Sequence, residues 1–191
     1  MIDGVDLDDE LDPLVLDALA SSLAPTPAPA SSLRARLLQR MSGRDRFLPF
    51  LDRLIALFDL SEDETRRHVD TMVDGGASVD DGEGGWEELV PGCTFLDFDG
   101  GPALGDAHAG LIRLQPGAVF PAHRHVGEER VLMLQGRVRD EHGNEYRAGD
   151  LIVMADGTEH EITVVGDQEA IYAAVVVAME FTGGDDGAEA L

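Results

Sequence analysis

Gly117-Ala-Val-Phe-Pro-Ala-His123-Arg-His125-Val-Gly127-Glu128-Glu129-Arg-Val-Leu-Met-Leu-Gln-Gly136 carries two candidate strands with a glycine between them. Val119–His125 and Glu129–Leu134 have the apolar, β-branched make-up of short strands, and Gly127 punctuates them. His123 and His125 are two residues apart, so in a strand both rings point to one face. Glu129 lies four residues further on. In an unbroken strand it shares that face. A break at Gly127 removes the parity argument, and a bulge there would let Glu128 take the place of Glu129. His160 opens another candidate strand, His160–Val164. Three imidazoles and one carboxylate together suit Zn²⁺, Fe²⁺, Mn²⁺ or Ni²⁺. Four protein ligands either close a tetrahedral site or leave one or two positions open. Were these four ordinary core residues, buried polar groups would be left unsatisfied.

Outward from this stretch the same texture continues. Thr94–Phe98, Gly110–Gln115, Arg137–Asp140, Asn144–Arg147, Leu151–Met154 and Ile171–Ala178 are further candidate strands. Gly, Asp and Asn separate them at spacings of about eight to twelve residues, with no helical pattern between, which points to a sandwich or barrel. Phe120, Met133, Tyr146 and Met154 are candidates for an apolar cavity wall. His108 and His142 fall in expected turns.

Upstream of residue 80 the pattern is helical. Leu11, Leu14, Val15, Ala18 and Leu19 recur at helical spacing, and a stiff Pro/Ala linker follows at 24–31. Ser32 caps a predicted helix from Leu33 to Met41. Phe47, Phe50, Leu51, Leu54, Ile55 and Phe58 make one stripe of a helix from Phe47 to Phe58. Ser61 and Glu64 spell a capping box for another helix, which carries Val69, Met72 and Val73 and leaves His68 on its exposed side. These stripes are expected to pack on each other or on the barrel. The acidic, glycine-rich run at 74–85 marks a boundary, and 183–191 reads as a disordered tail.

Composition narrows the function classes. The chain has 191 residues, with 14 basic against 38 acidic ones, a formal net charge of −24. It repels phosphates at long range, so neither nucleic acid nor an anionic membrane is an expected partner. Cys93 is the single cysteine, which excludes an intramolecular disulfide and a CxxC metal site. It reads as a small buried residue. The start, Met1-Ile-Asp-Gly-Val-Asp6, has no basic region or apolar core, and no apolar run approaches the roughly 18 residues of a membrane span. A cytoplasmic protein is expected.

Gly117, His123-x-His125, Glu129 and Gly136 stand at the spacing of the first cupin motif, and Gly149, Ala155-x-Gly157 and His160 resemble the second. Ala155 replaces an expected proline, and Val164 an expected asparagine. The resemblance implies a mainly β, RmlC-like jelly-roll barrel over 86–182, preceded by a small helical segment over 1–80. It also implies one divalent ion on His123, His125, Glu129 and His160. Within the cupins, the run from His123 to Gly136, Asp140-Glu141-x-Gly143, Tyr146-x-x-Gly149-Asp150, and Trp86 with Pro91-Gly92 resemble the C-terminal domain of ChrR-type anti-sigma factors. Leu33-Arg-Ala-Arg-Leu37-Leu38 resembles segments common in anti-sigma factors. That family implies zinc in the cupin part and a sigma factor held by the helical part. One departure is plain: the family's N-terminal HxxxCxxC zinc pattern is missing, since no cysteine precedes Cys93 and His68 stands alone.

Three functions stay open at this level. One is a metal-bearing sensor module that contacts a sigma-factor-like protein. Another is a metal-dependent cupin dioxygenase or isomerase acting on a small chelating substrate. The third is a structural metal with a small-molecule ligand in the barrel. A homodimer is expected, because pairing removes exposed sheet edges.

Overall fold

The computed structural model of the chain describes Leu33 and residues 43–73 and 85–182. The expected helices near 11–19 and 33–41, the linker at 24–31, the glycine-rich run up to residue 84 and the tail at 183–191 lie outside these residues.

Two short 3-10 turns, Gly43–Arg46 and Leu48–Phe50, lead into helix α1, Leu51–Phe58. The helix starts four residues later than the stripe predicted. Pro49 sits in the first turn of the Leu48–Phe50 segment, where its missing N–H costs nothing, and the chain winds tightly until Leu51. Asp59, at φ 56°, ends α1 in the left-handed conformation. Helix α2, Glu62–Thr71, opens with the expected capping box: the Ser61 hydroxyl accepts from the Glu64 amide, and the Glu64 carboxylate accepts from the Ser61 amide.

Strands β1 (Glu87–Val90), β2 (Cys93–Phe98), β3 (His108–Leu114), β4 (Val119–Val126), β5 (Glu129–Gln135) and β6 (Arg137–Asp140) come next. They are followed by β7 (Glu145–Arg147), β8 (Leu151–Met154), β9 (Glu159–Val164), β10 (Ala170–Val176) and β11 (Ala178–Phe181). One antiparallel sheet has the order β1-β2-β3-β10-β5-β8, and the other the order β11-β4-β9-β6-β7. Two strands went unread in the sequence. The run Ile171–Ala178 looks like one strand, but the chain crosses between sheets at Val177, giving β10 to one sheet and β11 to the other. β1, Glu-Glu-Leu-Val, is an acidic sheet edge with weak strand propensity.

Alternation along the strands sends side chains to two cores. Ile112, Leu114, Phe120, Val131, Met133, Val138 and Tyr172 fill the space between the sheets. Leu96, Leu111, Leu132, Leu134, Ile171, Ala173 and Val175 face the other way, where Phe47, Leu51, Leu54, Leu57 and Phe58 cover them. The helical layer and the barrel therefore share one hydrophobic core. Polar contacts fix the seam. Arg53 donates to the Gly149 carbonyl at 2.7 Å, and the Gly101 amide donates to the Phe58 carbonyl at 2.8 Å. A Cβ on Gly101 would fall 1.8 Å from the Asp59 carbonyl oxygen, so only glycine permits this approach. Arg113, buried on β3, donates to the Met72 carbonyl at the end of α2. Its guanidinium also lies 4.9 Å from the Trp86 ring centroid and 3.6 Å from Glu169.

His68 is half-buried rather than exposed, stacked on Phe98 at 3.7 Å with an interplanar angle of 14°. Phe98 lies on the barrel surface that α2 covers, and that apolar surface draws the ring in.

Candidate metal centre

β4 supplies His123 and His125, the first residue of β5 supplies Glu129, and β9 supplies His160. β4 and β9 are neighbours, with His123 directly opposite His160, while β5 belongs to the facing sheet. The cluster thus bridges the two sheets. A bulge between Phe120 and His123 sets the register that aims both β4 histidines inward.

Glu129 faces the lumen because the chain turns, and not because a strand runs on. β4 stops at Val126, and Gly127, at φ +87°, and Glu128 form the connection. A Cβ on Gly127 would meet Val177 at 2.7 Å. Glu128 points outward, 62% exposed, near Arg130 at 3.7 Å, whereas Glu129 is 4% exposed. The second-motif turn closes without its usual proline: the Thr158 hydroxyl and amide both donate to the Ala155 carbonyl, at 2.7 and 3.1 Å. Val164 is simply buried in the core.

His123 Nε2 lies 3.2 Å from His125 Nε2 and 3.0 Å from His160 Nε2. His125 Nε2 lies 3.2 Å from Glu129 Oε2. All four ligand atoms fall within 4.8 Å of one another. Donors about 2.1 Å from a common ion stand roughly 3.0–3.4 Å apart at octahedral or tetrahedral angles, so the spacing fits a cation.

The hydrogen bonds behind the rings sharpen that fit. His123 Nδ1 is 2.9 Å from the Pro121 carbonyl, which can only accept, so Nδ1 carries the proton. His125 Nδ1 is 2.9 Å from Thr158 Oγ1. That hydroxyl spends its own proton on Ala155, so it accepts from His125. In the neutral rings both Nε2 atoms then present lone pairs, to each other and to the Glu129 carboxylate. Acceptors so placed in a buried site are satisfied by a cation between them. Burial pushes His123 below its ordinary pKa, and burial followed by the neighbouring His123 pushes His160 down to about 4. Both are neutral at pH 7, the state a metal needs.

These depressed values predict a pH effect. Burial also lowers His68. For all three, the unfolded chain takes protons below its ordinary value near 6.5 while the folded chain does not. Stability is therefore complete above that value and falls progressively toward about 4, the point set by His160. Chelator-treated protein is expected to melt at a lower temperature at about pH 5 than at about pH 7. Equal melting temperatures would contradict the burial of these rings.

Other residues singled out in the sequence lie elsewhere. His108 is the exposed first residue of β3, and His142 is exposed in the β6–β7 turn. Cys93 is buried, and burial raises its thiol to about 12, which leaves it unreactive. Phe120, Met133 and Tyr146 line the lumen beside the cluster, whereas Met154 is not in that wall. The sequence did not reveal Pro121 and Thr158 as the groups that orient the two histidines. One signal was present: a serine or threonine two residues before His160 can reach the strand that pairs with β9.

A family model, the ChrR cupin-like domain, matches residues 74–180. The chain belongs to the ChrR cupin-like domain family. The chain is also similar to a chain of the crystal structure of Rhodobacter sphaeroides SigE in complex with the anti-sigma ChrR. That match has 24% identity and a TM-score of 0.47, covering 85% of this chain and 75% of the other. An RmlC-like cupin protein from Ralstonia eutropha matches at 19% identity and TM-score 0.47, over 59% of this chain and 76% of its own. An acetylacetone dioxygenase from Acinetobacter johnsonii matches at 16% and TM-score 0.42, over 51% and 67%. No curated protein matches the chain in sequence. Among the described residues of this ChrR cupin-like protein, no helix is long and apolar enough to cross a membrane.

Proposed function

We propose that this chain is a metal-binding sensor module of the ChrR anti-sigma type. In it the cupin barrel, 86–182, holds one Zn²⁺ through His123, His125, Glu129 and His160, and the helical region, 1–80, contacts a sigma-factor-like protein in the cytoplasm. The ion, when bound, supplies a fixed positive charge that ties the two sheets together. The observation that supports a sensor over an enzyme is size. The cavity bordered by His123, Glu129 and His160 measures about 20 Å³. That holds one water molecule. A diketone or sugar needs several times as much, so this small cavity at the ligands does not hold the substrate of a dioxygenase or isomerase.

The apolar stripes of α1 and α2 are spent on the barrel. The partner contact is therefore assigned upstream of Gly43, where Leu14, Leu37 and Leu38 are apolar positions in the sequence. Tagged full-length protein is expected to recover a sigma-factor-like protein from its host, and the Leu14→Asp/Leu37→Asp variant to lose it while keeping its metal. No oxygen uptake is expected with diketones or flavonols. Recovery of no such partner together with robust turnover would overturn this reading. Strand β8 ends its sheet with Leu151 and Val153 each 55% exposed. Pairing of two β8 edges supports a homodimer, which light scattering reads as twice the mass of one chain.

A further inference from the structure

A second chamber opens in the barrel next to the metal cluster. Its volume is about 370 Å³, within the size range of small-molecule pockets. Ile112, Phe120 and Met179 border both this chamber and the small cavity at the cluster, so these three side chains form the partition. The void has a local cause. Gly110 of β3 and Ala174 of β10 are directly opposite each other, so two adjacent wall positions carry almost no side chain. Leu89, Phe95 and Val176 complete an apolar lining. Glu87, Asp97 and His108, exposed or nearly so, are the ionisable groups at its edge.

We propose that this chamber is a binding site for a small apolar molecule with a cationic or hydrogen-bond-donating head, such as a hydrophobic amine. The apolar walls take the body of such a ligand out of water, which favours binding in proportion to the apolar area buried. Two carboxylates at the edge, on a chain of net charge −24, favour a cationic head and repel a carboxylate. The site is separate from the metal reading, because none of the four cluster residues lines it. A ligand there would touch Phe120, whose ring meets His123 edge-on at 4.9 Å, and Met179, which is paired with His125.

The test uses the full chain as isolated, with N-phenyl-1-naphthylamine as the neutral apolar probe. Its fluorescence is expected to rise and saturate at about one probe per chain, and octylamine is expected to displace it at lower concentration than octanoate. Ala174→Leu fills the void from the wall, and Val176→Trp fills it from a half-buried position that tolerates bulk. Each is expected to weaken probe binding at least about tenfold, with metal content unchanged as the sign of an intact barrel. Probe binding that never saturates, or that persists at wild-type affinity in both variants, would overturn the site. Displacement by octanoate as readily as by octylamine would overturn the assigned head group.

Discussion

His123→Ala is expected to strip the protein of its metal. The Nε2 atom of this residue stands between those of His125 and His160, at 3.2 and 3.0 Å. Its proton is parked on Nδ1 by the Pro121 carbonyl, so the lone pair is already turned inward. Losing a partner behind a ligand typically costs 10–100-fold in metal affinity, and losing a ligand itself is expected to cost about 100-fold or more. Elemental mass spectrometry on untagged protein, purified without chelator or added metal, should fall from about one ion per chain to almost none. His160→Ala should behave alike. Glu128→Ala is the control: its side chain lies outside the cluster and should leave the metal in place. A full complement of metal in both histidine variants would show that the ligand set is misassigned. Iron, manganese or nickel in place of zinc would turn attention back to turnover.

Phe58→Ala is expected to be the most damaging change among the helices. Phe58 is 1% exposed at the end of α1 and meets Phe98 of β2 edge-to-face, with centroids 4.9 Å apart. Phe98 in turn carries the stacked His68. Truncation removes both the buried ring and the support of that stack, and such changes cost about 3–5 kcal/mol. Chemical denaturation should show a midpoint shift of that size. The four ligand residues lie on β4, β5 and β9, away from Phe58, so metal stoichiometry at low temperature should be unchanged. A loss of less than about 1 kcal/mol would mean that the helical layer contributes little to the fold.

Much of the barrel was legible because its signals are local. The alternation in β4 and β5, the turn residues and the pair His123 and His125 are all set by neighbours in the chain. Glu129 was legible only by resemblance, since parity counts through a strand and the chain turns at Gly127. The crossing at Val177 was invisible for a related reason: Ile171–Met179 is apolar throughout, and nothing in composition says which sheet a residue joins. His68 was misplaced because helical periodicity knows only its own helix. The ring is drawn in by Phe98, thirty positions later. Pro121 and Thr158 were missed as orienting groups because both act through hydrogen bonds that exist only once the bulge and the Ala155–Thr158 turn have formed.

Arg113 holds one last consequence. Its single guanidinium reaches the Met72 carbonyl on one side and the Trp86 ring on the other, and these residues flank the stretch from 73 to 85. The two ends of that stretch are thus clasped together whatever lies between them. Closing a longer loop costs only about 0.6 kcal/mol per doubling of its length. Lengthening the intervening sequence is therefore expected to cost the fold little. A protease nick within it would leave two fragments that stay joined and melt as one.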